Sequence, residues 1–165
     1  MLLKRWLNKM EVFEKLLDPE LYAYFKNASF YEKPVFHTAH KMVDFYIEFE
    51  NVIPLEVYEQ IITKLQLALH VHVKLHIHSK NNAVEMDELD RYVNHFVEKY
   101  SDVKDFRFLH PYLENDTICF STRDESRLAA LNLALPSLVE KLKEVGINQE
   151  IVCKKVEENI AIETA

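Results

Sequence analysis

Glycine is almost missing: the chain of 165 residues has one, Gly146. Loops that cradle phosphate need glycine for positive φ and for close backbone approach. A Walker loop, a Rossmann fingerprint and a glycine-rich kinase loop are therefore excluded. Cysteine is scarce too. Cys119 and Cys153 share no metal-type spacing, and each sits in an apolar run, TICF and EIVC. They read as buried, reduced thiols. No run reaches the roughly 18 apolar residues of a membrane span. The leading MLLKRWLNKM is too short and too charged for a secretory segment, so the expectation is a cytoplasmic protein. Basic charge is also short, with 20 Lys and Arg against 27 Asp and Glu, a net charge of -7. That argues against a general phosphate-backbone binder, because non-specific nucleic-acid affinity comes from basic surface.

What is present suffices for a folded domain. A chain of this size buries roughly 68–70% of its unfolded surface and needs no disulfide or metal to do so. Leu3, Trp6, Leu7, Met10, Phe13 and Leu17 recur at helical spacing, which predicts an amphipathic helix over 2–17 that stops at Asp18-Pro19. The apolar stripe around Trp6 either packs on its own domain or is offered to a partner's groove. Residues 29–37 read as a strand that Pro34 confines to an edge or a bulge. In the next strand, 42–49, Val43, Phe45, Ile47 and Phe49 face one way and Asp44, Tyr46 and Glu48 the other. These two strands suit a hairpin.

Pro54 then opens a helix whose stripe is Leu55, Tyr58, Ile61, Ile62, Leu65 and Leu69. His70–His78 alternates again. A strand-helix-strand unit of this length makes a right-handed crossover with parallel strands. Further on, helical spacing over 86–100 and a short helix to Leu109 precede a turn at Asn115-Asp116 and a strand at 117–121. Thr122 and Glu125 have capping-box spacing before a long helix to about Val145, which Pro136 should kink or divide. Gly146 fits the left-handed position past its end, and 147–156 is a last strand. The order α, β-β-α-β, α, α, β-α-β predicts an α+β fold with one mixed sheet of about five strands. The bounds expected are a helical segment 1–27, a domain 28–157 and a frayed tail 158–165. The sequence shows no internal repeat.

Three constellations deserve weighing. His70, His72, His76 and His78 share one face of the predicted strand with Lys74 between them. An H-x-H pair can chelate zinc, but a mid-face lysine repels a cation, and no cysteine or marked carboxylate completes a set. The preferred reading is a polar, solvent-facing side of a sheet whose charge changes near neutral pH. Asp44 with Glu48, and Asp87, Glu88 and Asp90, follow the solvent-facing period of their elements and read as solvated. No G-x-S-x-G is present, and His37, His40, His95 and His110 are scattered, so nothing marks nucleophilic catalysis. The residues assign no catalytic, cofactor-binding or metal-binding role.

The run from Phe36 to His78, with DFYIEFENVIP followed by LEVYEQI, resembles the N-terminal region of the PolC family, the Gram-positive type of replicative DNA polymerase III α subunit. NDTICFS at 115–121 and LVEKLKEVGI after Leu135-Pro136 extend the likeness, from about Met10 to Val156. The resemblance implies a non-catalytic N-terminal module of a DNA-directed DNA polymerase, KH-like in topology and similar to the polymerase-binding domain of the clamp-loader tau subunit. It implies contact with a replisome protein: tau, the clamp, the helicase or single-strand binding protein. It implies no cofactor. The histidine-rich strand departs from the family, and no role carries over to Trp6. The rival reading is single-stranded nucleic-acid binding through Lys33, His37, His40, Lys41 and the histidine strand. A KH clamp needs a GXXG loop, which one glycine cannot supply.

Overall fold

The computed structural model describes residues 9–157. Leu3, Trp6 and Leu7 of the expected first helix, and the expected tail after residue 157, lie outside the described residues. The chain forms two compact units. One runs to Ala83 and takes in Lys143–Ile147; the other covers Val84–Leu142 and the chain from Asn148.

In the first unit two short helices, α1 (Val12–Leu16) and α2 (Pro19–Tyr22), and a 3₁₀ turn (Ala23–Phe25) precede the sheet. Asp18 caps α2 by accepting from Leu21 N at 3.0 Å, with Pro19 at its start, where the missing N–H costs nothing. Strand β1 (Ser29–His37) pairs antiparallel with β2 (Met42–Asn51), and β2 pairs parallel with β3 (His72–Asn81). The crossover is α3 (Leu55–Leu69). The expected hairpin and β-α-β unit are both there. Pro34 sits on an edge strand and within a bulge, where the register slips between Phe30 and Val35.

Period two does what it predicts: Val43, Phe45, Ile47 and Phe49 are all fully buried, as are Leu75 and Ile77 of β3. Phe13 reaches them from α1. Its ring stacks on Phe25 at 4.9 Å between centroids and meets Phe45 edge-on at 5.3 Å. Such pairs add about 0.5–1.5 kcal/mol each beyond the area they bury. Near the end of the chain, Val145 makes a parallel bridge to Ile77, and Gly146 turns at φ +91 against β3.

The second unit has α4 (Met86–Lys99), a 3₁₀ turn (Ser101–Phe106), the hairpin β4 (Tyr112–Glu114) and β5 (Thr117–Thr122), α5 (Glu125–Glu144, its last two residues belonging to the first unit) and β6 (Ile151–Lys155). Asn115 and Asp116 both have positive φ, 51 and 65, and close a two-residue hairpin turn. β5 and β6 pair parallel. The fold class is α+β, as expected.

Several expectations are corrected. There are two three-stranded sheets, β1-β2-β3 and β4-β5-β6, in place of one of about five strands. Periodicity identifies the buried face of a strand but is silent on its neighbour. β4 was missing from the reading because three residues are too few to show a period. With it, both units run helix, hairpin, helix, parallel strand, so the chain repeats a topology without repeating a sequence. Third, Thr122 and Glu125 do not form a capping box. Thr122 ends β5, and Asp124 caps α5 by accepting from Ser126 N at 3.0 Å. Pro136 lies inside α5 without dividing it. The predicted strand at 70 also begins later. His70 ends α3 in a left-handed turn at φ 57, and β3 starts at His72.

Candidate functional site on the first sheet

Parallel pairing of β2 with β3 sets Asp44 opposite Lys74, Tyr46 opposite His76 and Glu48 opposite His78. The face away from the core therefore carries rows of ionisable and aromatic side chains. It was expected to be solvated, and at its centre it is not. Asp44 is buried, 7% exposed, and His76 is half-buried.

Asp44 is the hub. His76 Nε2 lies 2.9 Å from its Oδ1, and His37 Nε2 lies 2.6 Å from its Oδ2. Burial by itself would push the Asp44 carboxyl up. The hydrogen bonds and charge of His76 and His37 outweigh that and hold it below the usual carboxylate range. On the other side of the ring, His76 Nδ1 is 2.8 Å from Glu144 Oε2. Glu144 Oε2 is buried and has no directed hydrogen bond, so this contact is chiefly electrostatic. His76 is thus an imidazole with a carboxylate beside each ring nitrogen.

Aromatic rings close over this row. Tyr46 stacks on His76 at 4.5 Å, and Tyr31 on His78 at 3.7 Å with an interplanar angle of 4°. Tyr31 meets Tyr46 edge-on at 5.8 Å, and its hydroxyl donates to His76 O at 3.3 Å. Burial, then the negative charge of Glu144 and Glu32, pushes the Tyr31 hydroxyl up to about 12. Burial and Asp44 raise that of Tyr46.

The four histidines thus part company. His76 joins the cluster, His78 stacks at its edge, and His70 and His72 are exposed and line a cavity of about 290 Å³ with Lys41, Gln66 and Val71. Two corrections follow: Asp44 is no solvated carboxylate, and His76 is no solvent-facing imidazole. The reading of Asp44 failed because alternation shows only that a residue leaves the core, and a neighbouring strand can still bury it. His37, expected to be scattered, is brought in by the hairpin. Glu144 gave no signal in the sequence, since its contact with His76 spans the Val84–Leu142 stretch of the second unit. Asp87, Glu88 and Asp90 lie on α4, where Glu88 pairs with Arg91 and Asp90 with His110. Among the described residues no three His, Cys, Asp or Glu side chains are grouped to hold a metal ion. Cys119 is buried and Cys153 half-buried, both as free thiols, and burial pushes Cys153 up to about 11.

Residues 10–77 match the family described as DNA polymerase III polC-type N-terminus I. This stretch is similar to the N-terminus of polC-type DNA polymerase III. The match spans α1 through Ile77 of β3, so the matched residues include Tyr31, His37, Asp44, Tyr46 and His76. His78, Glu144 and the downstream likeness at 115–121 and 135–147 lie beyond the matched residues. No curated protein and no solved structure matches the chain. No helix among the described residues is long and apolar enough to cross a membrane.

Proposed function

We propose that this chain is a non-catalytic module of a polC-type DNA polymerase III, joining the polymerase to another replisome protein during DNA replication. The observation that carries the proposal is how the ionisable cluster is spent. A general acid or base must offer its proton or lone pair to a substrate within hydrogen-bond reach. Asp44 binds both His37 and His76, and Glu144 lies against the same His76 ring, in a chain whose residues 10–77 match a polymerase family's N-terminus. The cluster reads as a polar brace for the sheet, and the sheet as a platform. A KH-like topology, similar to the polymerase-binding domain of tau, and a cytoplasmic location belong to the same reading. Calorimetric titration against tau, the clamp, the helicase and single-strand binding protein tests it. Binding to one of them is expected, and binding to none would overturn it.

The rival reading, single-stranded nucleic-acid binding, draws on one observation. Lys41, His70 and His72 line the open cavity with no carboxylate in its lining. Imidazoles gain charge as pH falls through neutrality. This reading expects salt-sensitive binding of an oligothymidylate, tighter at pH 6 than at pH 8. A flat anisotropy titration at low salt would remove it.

A further inference from the structure

Phe108 is a costly residue on the surface of the second unit. It is 83% exposed, and its backbone is left-handed at φ 65. A bulky side chain at positive φ is strained, and an exposed ring gains nothing from burial.

The ring is nevertheless displayed on a tethered loop. Two residues earlier, Phe106 is fully buried and meets Phe120 edge-on at 4.8 Å. Pro111, three residues later, is buried. Between them, Arg107 N donates to Lys104 O at 3.0 Å and Leu109 N to Phe106 O at 3.2 Å. From α5, Arg127 Nη2 donates to the Arg107 carbonyl at 3.1 Å. The Arg107 guanidinium lies 5.2 Å from the Phe108 ring centroid, in cation–π range.

Charge separates this spot from its surroundings. Lys141, Lys154, Lys155 and His110 of the same unit are paired with Asp102, Glu114, Glu125 and Asp90. Arg107 and Arg127 pair with no carboxylate among the described residues. In a chain of net charge -7, they set two guanidiniums without a carboxylate partner near an exposed aromatic.

We propose that Phe108, flanked by Arg107 and Arg127, anchors a docking site for an acidic protein segment that carries an apolar side chain. Aromatic and arginine anchors of this kind dominate protein interfaces, and the two guanidiniums, neither paired with a carboxylate among the described residues, complement carboxylates. A nucleic-acid strand fits less well. Strand binding uses successive stacking rings along a basic groove, whereas this loop offers one ring with a guanidinium already over it. The site lies outside residues 10–77 and stands or falls apart from the tethering role proposed above.

The test is fluorescence anisotropy of the whole chain with a fluorescein-labelled synthetic peptide of aspartates and glutamates around a central leucine. Wild-type protein should bind at low salt and more weakly as salt rises. Phe108→Gly is the decisive variant. Glycine adopts this φ without strain, so the variant should melt no lower than wild type while losing affinity about tenfold or more. Arg107→Gln should flatten the salt dependence. The proposal is overturned if wild type fails to bind the peptide, or if Phe108→Gly binds it equally. It is overturned too if a labelled oligothymidylate, and not the peptide, binds in a way that depends on Phe108.

Discussion

Asp44 shows how a side chain's role depends on what stands across the sheet. Its carboxylate is buried and accepts from two imidazoles. Its folded-state pKa is lowered from 3.8, so the stability it contributes is present above that value and lost as pH falls through the lower folded one. Asp44→Asn keeps the shape and removes the charge. We expect it to cost about 2 kcal/mol at pH 7, the scale of hydrogen bonds to a charged group. Its urea midpoint should also fall less between pH 5 and pH 3 than that of wild type. Equal acid sensitivity in the two proteins would show that Asp44 is not the group responsible. Tyr31 works in the opposite direction. Its hydroxyl is pushed from 10.0 to about 12, so its neutral form fits the fold up to pH 10 and stability declines as pH rises toward 12. Tyr31→Phe should remove that share of the alkaline loss, read by thermal melts at pH 9 and pH 11.

At the scale of elements, the ends and turns carry the most information. Gly146 combines a φ of +91 with a close approach: a Cβ there would run into Ser79 Oγ. Gly146→Ala should therefore destabilise by more than about 1 kcal/mol. Ser79→Ala removes the hydroxyl in the way and leaves the φ penalty. The double variant should then recover part of the loss, and strict additivity of the two melting-temperature changes would count against the clash. Asp124 is the cap of α5 by its bond to Ser126 N. Asp124→Ala is expected to cost about 1 kcal/mol, whereas Thr122→Ala, which spares that cap, should cost the helix less. Asn115-Asp116 and Gly146 were legible in advance because turn chemistry is local. β4 and the late start of β3 were not, since hydrogen-bonding partners decide where a strand begins.

The whole molecule repeats one plan, an antiparallel hairpin followed by a crossover to a parallel strand, in each unit. The first unit is not contiguous in sequence. Val145 bridges Ile77, and Glu144 faces His76, from beyond the second unit's helices. A chain cut after Ala83 would keep α1 through β3 but lose both contacts. It should melt below the full chain, with faster amide exchange in β3 than in β2. Identical exchange in the two proteins would show that the 143–147 segment adds nothing to the sheet.

The sequence by itself determined the α+β class, the β-α-β crossover, the buried faces of β2 and β3, the turn at Gly146 and the likeness to the polC-type N-terminus. Each of these rests on a period of two or of 3.6, on local turn chemistry or on an ordered series of residues, and such signals lie along the chain. Only the tertiary structure decided that the strands divide into two sheets, that Asp44 is buried between His37 and His76, and that Glu144 meets the same ring. Those outcomes depend on which strand lies beside which. That choice is made by packing between residues far apart in sequence, where periodicity carries no information.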